Sequence, residues 1–551
     1  MIHSFHNHPD LQNWWLPGPH PPEIGDHALK MAILKANRTM GIVSKEGRLA
    51  VVRDGTYIIG SNEPSDHDRF PLKAFVPALH PKCLGDKEFK SAFNLEYAYI
   101  AGDMANGIAS IEMVEAMGKA GMIGFFGAAG LSLGQIEGAI LQLQHRLKDL
   151  PFGFNLIHSP TEPELEASTV RLYLKHGIRC ISAAAYMDLT LPLIYYRVKG
   201  MYKDSSGKIV CPNRVIAKVS RVEVARKFFS PPPAKLLNQL IERQLINKQE
   251  AAIASLVPMA DALTAEADSG GHTDNRPAIS LLPTMLALRN EIADVYEYPF
   301  QLHVGLAGGI ATPESAGAAF AMGAAYILTG SVNQACIEAG TSQTVRQMLA
   351  EADQADVAMA PAADMFEMGV KVQVLKRGTL FPLRAAKLYD LYCAYNSLDD
   401  LPENQRQILE RDFYRCSLEE EWEQTRDFFT KRDPRQIDKA EKDPKHKMAL
   451  VFRSYLGRSS TWATTGKVDR KIDYQIWCGP AMGSFNQWVR GSFLEKPENR
   501  KTVTVAMNLL LGASVVTRAN WLRNQGVSLP HIISRFSPIP LSDINTLLND
   551  E

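Results

Sequence analysis

The residues that could do chemistry together sit in a few glycine-rich turns. Asp268-Ser269-Gly270-Gly271-His272 follows an apolar run that ends in Glu266-Ala267. A histidine at such a turn donates a proton or polarises a carbonyl. The plainer reading bonds its ring to a loop carbonyl. Ala307-Gly308-Gly309 closes a second apolar run, Leu302–Leu306, and Thr329-Gly330-Ser331 closes a third, Ala325–Leu328. Between these two lies a small-residue segment opened by Thr312-Pro313-Glu314-Ser315, with Thr312 as N-cap and Pro313 at the first helical position. Strand, glycine turn, helix, strand, glycine turn is a βαβ unit. Glycine lets backbone N–H groups approach an anion closely, and a following helix adds its positive end. One such turn is no more than a tight connection. Two in succession favour a phosphate site, with His272 placed beside it.

Other candidates need burial to matter. Ala101-Gly102-Asp103-Met104 ends the first regular strand, and its small residues offer a surface for a flat ring. Asn155 lies within the apolar run Gly153–Ile157, where an amide bonds either a heterocycle edge or a core partner. Lys218 interrupts the run Arg214–Val219. It either neutralises an anionic ring or pairs with Glu266 or Asp268, since a buried lysine is rare unless paired. Asp103 and Asp274 are read as caps or turn formers ahead of acid–base groups. Met359, Met365, Phe366 and Met368 are read as core, and Cys180 as buried filler.

The elements that must position these residues follow a rhythm. Apolar runs at Tyr97–Gly102, Met122–Phe126, Gly153–Ile157, Cys180–Ala185, Arg214–Val219, Ala262–Ala267 and the two runs of the βαβ unit read as eight strands. Helices at Ser110–Ala120, Ser132–Lys148 and Glu162–His176 separate the first of them. Runs apolar on both faces and alternating with helices imply a buried parallel sheet, and eight strands close a barrel. The first strand lacks the GxGxxG turn and distal acid of an open dinucleotide-binding sheet. The expected fold is therefore α/β: a (β/α)8 TIM barrel over 94–340, a small β-containing N-terminal segment over 1–93, and a C-terminal helical region over 341–551 that covers the barrel mouth. Two features interrupt the rhythm: a hairpin around Lys203–Lys208, and a charged helix over Leu236–Ala254 after Pro231-Pro232-Pro233. A helical segment is expected over 335–395.

Composition limits the function classes. The chain has 551 residues, too many for one ordinary domain. Zero formal net charge gives no electrostatic case for nucleic acid or an anionic membrane. Seven scattered cysteines without a CxxC argue against zinc and a disulfide framework, and suit a cytoplasmic location. No signal peptide is read at the start, where His3, His6 and His8 suit a solvated arm better than a metal site. No apolar stretch is read as long enough to span a bilayer.

The order Ala101-Gly102-Asp103-Met104, Gly153-Phe154-Asn155, Asp268-Ser269-Gly270-Gly271-His272, Ala307-Gly308-Gly309 and Thr329-Gly330-Ser331 resembles the flavin-dependent nitronate monooxygenase and bacterial enoyl-reductase superfamily. The C-terminal Cys478-Gly479-Pro480-Ala481-Met482-Gly483-Ser484-Phe485-Asn486 and the length are similar to a narrower group, the PfaD-type trans-acting enoyl reductases of polyunsaturated fatty acid and polyketide synthases. That resemblance implies an FMN-binding barrel that uses NADPH. Gly308, Gly309, Gly330 and Ser331 would hold the FMN phosphate. Gly102, Met104, Asn155 and Lys218 would line the isoalloxazine, and Ser269 and Gly270 would lie near the ribityl chain. Ala101, Asp103, Asp268 and Gly271 complete the expected cofactor set, and His272 would face the reacting ring as the catalytic residue. Implied partners are acyl carrier protein domains of the synthase, with a homodimer as the candidate assembly. The alternatives are an FMN oxidase of the nitronate monooxygenase type and a non-catalytic scaffold that docks on the synthase.

Overall fold

The computed structural model describes residues 12–61, 68–158, 160 and 162–549. His3, His6 and His8 lie outside them. Eight parallel strands close a barrel in chain order: β1 (Tyr99–Ala101), β2 (Ile123–Phe126), β3 (Gly153–Ile157), β4 (Cys180–Ala184), β5 (Arg214–Val219), β6 (Ala262–Glu266), β7 (His303–Ala307) and β8 (Ile327–Thr329). Nearly every strand residue is buried, which is why the strands read as apolar runs without alternation. Register fixes which residues share a level. Glu266 pairs with Ala307, Ala307 with Leu328, Thr329 with Ala101, and Lys218 with Thr264. The C-terminal ends of β5 to β8 and β1 therefore lie side by side around one mouth.

The helix after β7, α1 (Pro313–Ala321), begins as its residues dictate. Thr312 Oγ1 accepts from Ser315 N, and Pro313 stands in the first turn. After β8 comes a single helical turn, α2 (Ser331–Gln334). The N-terminal segment is a six-stranded antiparallel sheet, ordered Glu23–Ile24, Arg48–Val52, Met40–Lys45, Phe70–Val76, Gln12–Leu16, Thr56–Ser61. Buried Arg518 ties this segment to the C-terminal region by donating to the carbonyls of Ala32, Ile33 and Pro77. Desolvation holds that guanidinium's pKa down to about 10.

Three expectations are corrected. The stretch 236–254 is two helices, Ala234–Glu242 and Lys248–Ala254. Gln244 turns left-handed between them, at φ 57°. Asn247 then caps the second helix reciprocally with Glu250. The stretch 335–395 is not purely helical. Val357–Pro361 and Lys371–Leu375 pair as antiparallel strands, and Gly271–His272 joins them as a third. Finally, one helix, α5 (Thr502–Asn524), is long and apolar enough to cross a bilayer, with 83% of its apolar window buried. It packs on α1 so closely that a Cβ at Gly512 would come within 2.5 Å of Pro313. That contact marks a core helix.

Two further C-terminal helices close over the mouth: α3 (Leu418–Arg432) and α4 (Pro444–Thr465). Each presents one face at helical spacing: Glu421, Thr425, Phe428 and Arg432 from α3, and Ser454, Gly457, Arg458 and Thr461 from α4.

Candidate active site

The mouth and its helical cover enclose a cavity of about 680 Å³. Gly102, Asp103, Met104, Asn155, Lys218, Asp268, Ser269, Gly270, Gly271, His272, Gly308, Gly309, Gly330 and Ser331 all line it. Ala101 does not. It is buried within β1 and paired on both sides, so its part is to hold the strand.

The two glycine turns lie on neighbouring strands. Gly308 and Gly309 adopt φ 82° and 74°. The first is required by packing as well, because a Cβ there would come within 2.6 Å of the Ala267 backbone. Gly309 and Gly330 meet nothing within 4 Å in the Cβ direction, so both leave open space. These loops follow the seventh and eighth strands and lead into α1 and the helical turn α2 respectively, the place where barrels of this type hold phosphate. Among the described residues, Ser269 Oγ is buried without a hydrogen-bond partner, and the Asn155 side chain accepts from Ala129 N at Oδ1 while its amide nitrogen donates to none of them. Open glycine backbone, an orphaned hydroxyl and a buried amide fit a phosphate-bearing ligand with a polar heterocycle, and FMN is such a ligand.

Other residues are engaged by the protein itself. Ser331 Oγ accepts from Gly479 N at 3.0 Å. Asp268 accepts from Gln373 Nε2 and Asn275 Nδ2, each at 2.8 Å. Gly270 has no room for a side chain, since its Cβ direction points at the Cys478 backbone 2.8 Å away. Gly102 packs on Leu328 in the same way.

Lys218 lies between two carboxylates, 3.2 Å from Asp103 and 2.9 Å from Glu266. Burial would lower its pKa, but the two carboxylates outweigh this and raise it, so the ammonium stays charged. Asp103 is neither cap nor turn former. Its second oxygen accepts from Ser182 Oγ at 2.8 Å, deep at the barrel end. Asp274 is a structural partner, gripped by Arg221 and Ser220. Arg221, foremost, holds its carboxyl down to about 2.

His272 has a partner that sequence reasoning missed. Its Nε2 lies 3.2 Å from Asp364 Oδ1. Burial would lower the imidazole pKa, but the bond and charge of Asp364, with Glu266 adding, hold it above the ordinary value. Asp364 is fixed in turn by its loop, where Arg453 donates to Ala363 O at 2.8 Å and pairs with Glu367. The strand pairing Gly271↔Gln373 and His272↔Val372 sets the histidine's backbone. A visible signal existed: Val370-Lys371-Val372-Gln373-Val374 alternates at period two, as an edge-to-centre strand does.

Comparisons with known proteins bear on this geometry. Residues 87–391 match the nitronate monooxygenase family. Residues 395–474, which include the whole of α3 and α4, match the inserted helical domain of [acyl-carrier-protein] S-malonyltransferase. The chain is 46% identical over 490 residues to the polyketide biosynthesis protein PksE of Bacillus subtilis, covering 86% of this chain and 63% of that one. It is 44% identical over 448 residues to a polyunsaturated fatty acid synthase polypeptide of Thraustochytrium sp., covering 80% of this chain and 30% of that one. It thus spans less than two thirds of the length of these relatives. Among solved structures, the enoyl reductase domain of MlnA, from the macrolactin biosynthesis cluster of Bacillus amyloliquefaciens, is 40% identical with a TM-score of 0.76. The match covers 80% of this chain and 99% of that one.

Proposed function

The chain belongs to the nitronate monooxygenase family and to its branch that contains the MlnA enoyl reductase domain, and from that premise we propose that it is an FMN- and NADPH-dependent enoyl reductase. Its substrates are 2,3-enoyl thioesters on acyl carrier protein domains of a polyunsaturated fatty acid or polyketide synthase. The observation that carries this reading is the placement of an Asp364-held His272 in the same cavity as paired, open glycine turns.

In this reading Gly308, Gly309, Gly330 and the short helical turn after them hold the phosphate, and Ser269 Oγ takes a ribityl hydroxyl. Asn155 and Lys218 meet the polar edge of the ring. The flavin, when bound, supplies hydride transfer to the enoyl β-carbon with NADPH as source. His272 keeps a proton for the α-carbon. With Nε2 engaged by Asp364, Nδ1 is the nitrogen left to give it, and the raised pKa favours the protonated ring. The balance is one hydride at Cβ and one proton at Cα, leaving a saturated thioester.

Anaerobic stopped-flow spectroscopy tests the proposal. NADPH should bleach the bound flavin, and a crotonyl thioester should restore its colour. A flavin that is reduced and then ignored by the thioester overturns the reading. Rapid NADPH-independent oxidation of an alkyl nitronate by oxygen would put an oxidase in its place.

A further inference from the structure

Glycine in a helix interior is costly; three such glycines in this chain have a steric reason, while Gly134, Gly138 and Gly457 meet nothing within 4 Å, and of these three only Gly457 lines the cavity. At Gly118, Gly483 and Gly512 a Cβ would strike Pro151 O at 2.8 Å, the Gln354 backbone at 2.1 Å and Pro313 at 2.5 Å. Gly457 has none of these reasons. It lies inside the 22-residue helix α4, it is exposed, and nothing lies within 4 Å of the position its Cβ would take. Alanine there would stabilise the helix without a clash. Gly457 lines the cavity together with its neighbours Ser454, Arg458 and Thr461, and so do Phe428, exposed in spite of its size, and Arg432 from α3. This outer part of the cavity lies beyond the glycine turns and Ser269, on the side of the covering helices.

We propose that Gly457 is a specificity-determining residue, whose missing side chain keeps the outer cavity wide enough for a long acyl thioester. The inference rests on the enoyl-reductase reading given above. Phe428 supplies the apolar wall for the chain, and Gly457 supplies its clearance. Arg458, whose Nη2 pairs with Glu421 and whose Nη1 donates to Gln424, borders the same space with a buried Nε that has no hydrogen-bond partner among the described residues, a donor for a polar group of the arm that carries the acyl chain.

The test uses the flavin-loaded full chain and three variants: Gly457→Ala, Gly457→Leu and, as a matched control, Gly138→Ala. Gly138 is another interior helical glycine with nothing within 4 Å of its Cβ position, and it does not line the cavity. Both alanine variants should melt at or above the parent temperature. The parent and variants are compared on crotonyl and dodecenoyl pantetheine thioesters, and by titrating the flavin spectrum with unreactive dodecanoyl pantetheine. Gly457→Leu should lower kcat/KM for the long thioester relative to the short one by about tenfold, the scale of a filled apolar subsite. It should also weaken dodecanoyl binding, with Gly457→Ala intermediate and Gly138→Ala unchanged. A long-to-short ratio that stays at the parent value in both Gly457 variants overturns the proposal, as does an equal loss on both substrates. A parent enzyme whose reduced flavin ignores crotonyl pantetheine overturns the underlying reading instead, so the two failures are told apart.

Discussion

Lys218 and His272 line one cavity and both carry a charge favoured by carboxylates, yet they are built in different ways. Lys218 is assembled within the barrel. Its partners come from just beyond β1 and from the end of β6, and the cluster is held by strand register together with the Ser182 hydroxyl on Asp103. His272 is assembled across domains of the sequence. Its backbone leaves β6, its strand partner is 371–375, and its carboxylate comes from a residue 92 positions away. The barrel thus sets a fixed electrostatic floor, while the region after it biases the protonation of His272, the group proposed to give the proton. The first cluster should answer mutation in stability and the second in rate.

Lys218→Met should show the largest effect. It strands Asp103 and Glu266 beside each other without a counter-charge, which costs about 3–5 kcal/mol when one partner of a buried pair is removed. Denaturant unfolding measures it. Adding Asp103→Asn to Lys218→Met should recover part of the loss, because the two sites share one interaction. A Lys218→Met protein of parental stability would erase the contrast between the clusters.

His272→Gln should leave stability near the parent and strike the reaction. Loss of a positioned acid slows the proton-dependent step by about 10²–10⁴-fold. Stopped-flow traces should show NADPH still bleaching the flavin at the parental rate and the enoyl thioester failing to restore it. Equal slowing of both half-reactions would mean that the imidazole holds the cofactor and moves no proton.

The two clusters also differ in how far the sequence discloses them. Gly153–Ile157 and Arg214–Val219 form strands at the bounds their apolar runs suggest. Buried parallel strands are short, apolar on both faces and stopped by polar glycine turns, so the pattern and the structure share one cause. A lysine inside such a run implies a buried partner, and Glu266 was one of the two candidates. Asp364 carries no comparable mark. A carboxylate in a loop means nothing until a hairpin returns it to the barrel mouth. The hairpin is marked only by the alternation over Val370–Val374, because Met359, Phe366 and the aromatic residues after them fit a helical core equally well by composition. The break at Gln244 was invisible for a related reason, since a left-handed turn by a non-glycine residue leaves no local signal. The cover of α3 and α4 is legible as helices, while the faces they turn toward the cavity follow only from the fold.

The glycine turns carry the same contrast within a few residues. Gly308→Ala should destabilise the fold by about 1–2 kcal/mol through its left-handed backbone alone, with the Ala267 contact adding to it. Gly330→Val should fold at parental stability, since its side chain enters open space, and should lose flavin on gel filtration. Retention of flavin by Gly330→Val would remove that turn from the phosphate site.

Asp364→Asn should have the smallest effect at low pH and a growing one as pH rises. Asparagine keeps a hydrogen-bond acceptor but removes the charge that, with the bond, offsets burial and raises the His272 pKa. At pH below the variant's own alkaline limb both proteins hold the proton, and their rates of thioester reduction should converge. In the parent the alkaline limb lies above that value; in the variant it should move to lower pH. Each unit of movement costs about tenfold in rate on the alkaline side. Stability follows the same sign. The raised pKa contributes fully below the unfolded-state value and is lost as pH rises through the folded-state value, so the stability difference between parent and variant should shrink across that window. A parallel drop in rate at every pH, with the limb unmoved, would show that Asp364 only places the ring. The region after the barrel would then supply geometry alone, and the division of labour between the two clusters would fall.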